Sequence, residues 1–198
     1  MATIPKGRAA AGPRSRTRRI LLWAAALACA SGADLGALTR SDLLGDPDMT
    51  PEHFASYFQD FKWDVHPFDI QNPDQFLATR TGDCIDYAVL ADYVLKRRGF
   101  RTRLIRVEMI GKNMGHAVCY VTERRAYLDY NNRTYFFKLQ RSGPSIREVA
   151  TKVADSFDAN WTFAQEFAFE GYKTFGVHAL MTVVKTDPAD SDPDKGRY

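Results

Sequence analysis

The spacing of apolar positions divides the chain into a helical first part and a strand-rich second part. In "TPEHFASYFQDF", Phe54, Tyr57, Phe58 and Phe61 recur at helical intervals and share one face. Thr50 is a natural N-cap, Pro51 fits the first helical position and Glu52 suits the first turn. "NPDQFLATR" repeats the scheme, with Asn72 as cap and Pro73 next. A loop, "TGDC", leads into a third helix, "CIDYAVLADYVLKRRG". Its last turn carries Lys96, Arg97 and Arg98 against the negative helix end, and Gly99 supplies the left-handed cap.

Beyond Gly99 the period changes. "RTRLIRVEMI", "HAVCYVT", "AYLDY" and "TYFFKL" are short runs rich in β-branched and aromatic residues, separated by turn sequences. "SIREVATKVADSF" returns to helical spacing, and "WTFAQEFAFE" and "TFGVHALMTVV" read as a closing pair of strands. This order predicts an α+β domain, with helices packed on an antiparallel sheet. The predicted domain spans 50–185. Residues 30–49 are rich in small and turn-forming residues and read as a flexible tether. Residues 186–198 lack a core-forming pattern and read as a disordered tail.

Charge and composition change the picture mainly at the N-terminus. The whole chain carries +3, but residues 1–28 hold six basic residues and no acid, which leaves the remainder at −3. No basic stripe remains for nucleic acid. "RSRTRR" followed by "ILLWAAALACA" reads as an export signal over 1–29, too short to span a bilayer at roughly 20 residues. Ala28-Cys29-Ala30 fits ordinary cleavage. "ALAC" alternatively resembles a lipobox in which Cys29 becomes a lipidated first residue and tethers the protein to a membrane. Both readings predict an exported protein of the periplasm or outer membrane.

The chemistry centres on Cys84, one of three cysteines. It sits where a helix begins, 32 residues before His116 and 45 before Asp129. Alternation puts His116, Val118 and Tyr120 on one strand face, and Ala117, Cys119 and Val121 on the other. Tyr127, Asp129 and Asn131 share a face in the next strand. If these two strands pair through "ERR", His116 and Asp129 lie side by side, and the helix start presents Cys84 to the imidazole. A helix N-terminus and a neighbouring imidazolium both favour a thiolate. The imidazole takes the thiol proton, and the carboxylate orients the ring. Asp83 and Asp86 oppose the thiolate by their charge, which Asp83 offsets by capping the helix.

"GDCIDYAVLADYVLKRRG", "GHAVCYV" and "YLDYNN" together resemble the transglutaminase-like superfamily, especially its bacterial cysteine proteinases. The resemblance covers roughly residues 60–140. It implies a papain-like fold and a triad of Cys84, His116 and Asp129. It also implies a second oxyanion donor from an upstream aromatic or amide residue, for which Trp63, Gln71 and Gln75 are candidates. The implied reaction is amide acyl transfer to Cys84, then to water or an amine, without a cofactor, on a peptide or protein of the cell envelope.

Blander readings stand beside these. Cys119 is read as core, and alternation argues against a Cys84–Cys119 disulfide. A zinc site of Cys84, His116 and Asp129 lacks the paired spacing of metal ligands, so no metal is predicted. His53, His66 and His178 are read as structural or exposed, Asn131 as the fallback orienting residue, and Tyr120 and Tyr130 as flanking the site. The alternative function is a binding module that uses the same cleft for an envelope peptide without chemistry. The export reading has a direct check. Intact-mass analysis of native protein is expected to find an N-terminus at lipidated Cys29 or at Ser31, and an intact Met1 would exclude both.

Overall fold

Side-chain caps start every described α-helix of the computed structural model, which describes residues 37–65, 70–112, 115–130, 139–171 and 177–185. Thr39 and Asp42 form a reciprocal capping box for α1 (Arg40–Gly45). Thr50 accepts the His53 amide at the head of α2 (Pro51–Ser56), and Asn72 caps α3 (Pro73–Thr79). Asp83 and Asp86 box the start of α4 (Cys84–Arg97), and Ser145 and Glu148 that of α5 (Ile146–Ser156). At the far end of α4, Gly99 adopts φ 86°, so that its amide reaches the Lys96 carbonyl and that of Phe100 the Leu95 carbonyl.

Two sequence expectations need correction here. The tether expected over 30–49 is folded from residue 37 onward. The Thr39–Asp42 box nucleates a short helix, Leu43 and Met49 are buried, and Arg40 pairs with Asp74 of α3 at 2.6 Å. The helix expected over "TPEHFASYFQDF" ends at Ser56 and the chain turns through Tyr57–Asp60. Phe58 and Phe61 are nevertheless buried, because the turn delivers them to the same aromatic cluster.

Strands β1 (Lys62–Trp63) and β2 (Thr81–Gly82) form a two-residue parallel pair directly before α4. The predicted "TGDC" loop is therefore partly strand. The main sheet contains β3 (Thr102–Met109), β4 (His116–Val121), β5 (Ala126–Leu128), β6 (Gln140–Arg141), β7 (Trp161–Phe169) and β8 (Val177–Val184). Its order is β6-β5-β4-β3-β7-β8, and every pairing is antiparallel. The fold is the α+β arrangement that the sequence predicts. Most of the strand predicted over "TYFFKL" lies outside the described residues, as do the export signal and the tail.

Alternation sorts the sheet side chains into two cores. Leu104, Ala117, Cys119, Val121 and Leu128 join Cys84, the α4 face and the aromatic cluster of Phe54, Phe58, Phe61 and Phe76. Ile105, Val107, Val118, Tyr120 and Tyr127 pack under α5 with Trp161. Helices thus cover both faces of the sheet. Phe58 is the hub of the first core, with ring contacts to Phe54, Phe61, Phe76 and Tyr87 at 4.7–5.7 Å. Phe58→Ala is expected to cost about 3–5 kcal/mol of stability through the cavity it leaves. Urea denaturation checks this, and a loss below about 1 kcal/mol would mean that the cluster repacks.

Candidate active site

Cys84 is the first residue of α4, and the cap that precedes it determines which amides remain available. The Asp83 carboxylate accepts from the amides of Ile85 and Asp86, and the Asp83 carbonyl accepts from Tyr87. The amide of Cys84 has no partner among the described residues. It lies at the positive end of a 14-residue helix, where an anion is favoured.

The carboxylate of Asp86 ties this helix start to the chain around it. It is buried and accepts from the Asp83 amide at 3.0 Å, the Gln71 amide at 2.7 Å and the Gln71 side-chain nitrogen at 2.9 Å. That side-chain nitrogen also donates to the Thr81 carbonyl at 2.9 Å. Both of its hydrogens are thereby committed, which removes Gln71 as a second oxyanion donor and makes it a brace for the helix start. Gln75 lies on the exposed side of α3. Trp63 is exposed and its backbone pairs beside Gly82, two residues from Cys84. Of the three upstream candidates, Trp63 alone stands in strand register beside Gly82, where its neighbours Lys62 and Asp64 bond to Arg80 and Gly82.

The other two predicted residues come from the sheet. β4 and β5 pair with Cys119 opposite Leu128 and Tyr120 opposite Tyr127, joined by a 3-10 turn (Thr122–Arg124) and Arg125 at φ 48°. His116 is the first residue of β4 and Asp129 follows β5. The His116 Nε2–H donates to Asp129 Oδ1 at 2.8 Å, and both side chains are almost wholly buried, at 5% and 1% exposure. Phe157, at the end of α5, packs edge-on to the imidazole at 4.9 Å. The Cys84 side chain lies close enough to the same ring to favour its protonated form. Cys84 belongs to the core under α4, while alternation directs His116 toward α5. They meet at the end of β4.

Burial alone would keep the imidazole neutral. The Asp129 carboxylate, hydrogen-bonded to the ring, and the nearby Cys84 outweigh burial and hold His116 well above its ordinary value of 6.5. Burial and the nearby Asp92 charge push the Cys119 thiol well above 9.0, so it stays protonated. Cys84 and Cys119 are both free. Tyr130, next to Asp129, stacks on Tyr87 at 5.0 Å and donates to the Lys62 carbonyl at 3.0 Å. It thus links the end of β5 to β1. Tyr120 donates instead to the Ser142 carbonyl and lies in the core under α5.

His53 and His178 stand apart from this group. His53 pairs with Asp46 at 3.1 Å, and His178 with Glu170 at 3.5 Å on the surface. Cys29, His66 and Asn131 lie outside the described residues. Among the described residues no group of His, Cys, Asp or Glu side chains could hold a metal ion, and no helix is long and apolar enough to cross a membrane.

With the fold and this cluster in view, comparison gives the class. A family model described as a transglutaminase-like domain matches residues 50–141, and this part of the chain is similar to the transglutaminase-like superfamily. Among solved structures it is similar to LapG of Legionella pneumophila. The EGTA-treated form matches at TM-score 0.41 and 17% identity, over 58% of this chain and 60% of that one. The calcium-bound form matches at 0.41 and 20%, over 64% and 69%. A third LapG structure matches at 0.42 and 19%, over 61% and 65%. The chain thus spans 60–69% of the LapG chains it matches. No curated protein matches the sequence.

The raised His116 has a thermodynamic consequence. The folded state holds the ring proton more tightly than the unfolded chain. This contribution is therefore complete below pH 6.5 and is lost as pH rises through the raised value. The stability advantage of the wild type over His116→Gln is expected to be larger at about pH 6 than at about pH 9, by urea denaturation. An advantage that grows with pH would contradict the stabilising imidazolium.

Proposed function

We propose that this chain is an exported thiol enzyme that transfers an amide or peptide acyl group through Cys84, His116 and Asp129. One observation carries the reading: a single imidazole is hydrogen-bonded to a buried carboxylate and lies close to a thiol at a helix N-terminus. Nothing in core packing requires three such groups to converge. A structural cysteine is served by apolar neighbours, as Cys119 is.

The residues divide the reaction between them. His116 removes the Cys84 proton with the ring nitrogen that Asp129 does not hold. The Cys84 sulfur attacks the substrate carbonyl carbon, and the carbonyl electron pair moves onto oxygen. The Cys84 amide, left available by the cap, donates to that oxyanion. As the oxyanion collapses, the C–N bond breaks and the imidazolium returns its proton to the leaving amine. This leaves a thioester on Cys84. His116 then deprotonates the incoming water or amine, which displaces the sulfur and releases an acid or a new amide. Asp129 holds the ring orientation and stabilises its cationic form throughout.

The N-terminal export signal supports a periplasmic or outer-membrane site of action, and hence a peptide or protein substrate of the cell envelope. Cys84→Ser and Cys84→Ala are expected to abolish turnover while changing stability by only about 1 kcal/mol, since the Asp83–Asp86 cap is untouched. Asp129→Asn is expected to be milder, because an amide still orients the ring. The measurement is a covalent acyl adduct on Cys84, sought by mass spectrometry after incubation with peptide and glutamine-amide libraries. Binding with neither adduct nor product would make the domain a binding module.

A further inference from the structure

β8 ends the sheet, and only β7 pairs with it. Apart from the Val184 carbonyl, which accepts from the Arg147 guanidinium at 3.1 Å, its outer backbone edge has no partner among the described residues. The strand is eight residues long and contains no Lys, Arg, Asp, Glu or Pro. Val177, Leu180, Met181 and Val184 are 43–63% exposed. A long edge of this kind lacks the charge, proline or shortness that normally blocks edge-to-edge pairing. The opposite edge is protected, because β6 has only two residues.

The register of β8 says what fits it. Met181 lies opposite Glu166 of β7, yet Ala179 lies opposite Phe167, so Leu180 is an extra, bulged residue. The bulge shifts the alternation. Val177 and Ala179 share a face with Thr182 and Val184, and His178 shares the other with Met181 and Val183. In an antiparallel pair, opposed residues must point to the same face. Without the bulge, a strand folded onto its own copy about the Leu180–Met181 midpoint would oppose odd positions to even ones and mismatch every face. With it, Val177 meets Val184, His178 meets Val183 and Ala179 meets Thr182, each pair on one face. The same pairing confronts no like charges.

We propose that β8 is a homodimerisation edge. Two copies of this chain pair β8 to β8, antiparallel about a two-fold axis centred between Leu180 and Met181, and join their sheets into one. A second copy fits because the strand is complementary to itself in this register. β3 and β7 separate β8 from the strands that carry His116 and Asp129, so the dimer leaves that site untouched.

The test is sedimentation velocity of the full chain from about 1 to about 100 μM, a range that brackets modest homodimers. A concentration-dependent monomer–dimer equilibrium is expected. Met181→Lys brings two ammonium groups together at the axis and is expected to raise the dimer Kd about tenfold or more. Its Cys84 alkylation rate is expected to match the wild type, which shows that it folds. Independently, Val177→Cys copies mixed with Val184→Cys copies are expected to cross-link under mild oxidation, and neither variant alone at that position. A chain monomeric throughout this range overturns the proposal. So does a dimer indifferent to Met181→Lys, or cross-linking that does not need the mixture.

Discussion

The Asp86 carboxylate is the point on which the candidate site depends. A buried carboxylate must be satisfied or it destabilises the fold by several kcal/mol. Asp86 is satisfied by amides from Gln71 and Asp83 and by the Gln71 side chain. Those bonds determine where α4 begins. The Gln71 side chain reaches Thr81 in β2, and β2 pairs with β1. The three stretches before Cys84 are therefore tied to one another through one anion. Gly82 shows how closely they approach. A Cβ there would lie 2.5 Å from the Phe76 ring and 2.8 Å from Asp86 Oδ2, so no larger residue fits between cap and core.

The capping box also resolves a conflict legible in the sequence. Two carboxylates flank a cysteine whose proposed chemistry requires an anion. In the structure both carboxylates accept backbone amides, and Asp86 takes the Gln71 side-chain bond as well. Their charge is directed into the helix start and its brace. The Cys84 amide is left over, because an aspartate cap takes the second and third amides of the helix and not the first. The acid before the cysteine thus starts the helix and leaves the amide that the proposed reaction uses as oxyanion donor.

Much of this was readable in one dimension because it is local. Caps at Thr50, Asn72 and Asp83, the stop at Gly99 and the alternation through β4 are patterns of neighbouring residues. They led to α4, to the burial of Cys119, and to His116 and Asp129 on one face of adjacent strands. What escaped is long-range or too short to show a period. The Gln71–Asp86 brace spans 15 residues and joins elements with no shared pattern. The β1–β2 pair has two residues per strand. α1 hid in a stretch of small residues, although its Thr39–Asp42 spacing is that of a cap. The length of α2 was overread, since Phe58 and Phe61 keep helical spacing while a turn delivers them to the core.

The remaining constraint is register. The Tyr120–Tyr127 pairing, continued toward the ends of the strands, sets Asp129 opposite Val118, a diagonal neighbour of His116 on the same face. Diagonal neighbours stand roughly 7–8 Å apart at the backbone. An imidazole and an aspartate carboxylate together close that gap to the observed 2.8 Å. The tight connection enforces the register. A 3-10 turn followed by Arg125 in the left-handed region leaves no slack for another pairing. A slip of one residue would send Asp129 to the α4 face and bring a neighbour in its place. The imidazole would then face Cys84 without its carboxylate, inside a core that favours the neutral ring. The pairing of carboxylate with imidazole is therefore set by a turn at the far end of β4, where neither residue lies.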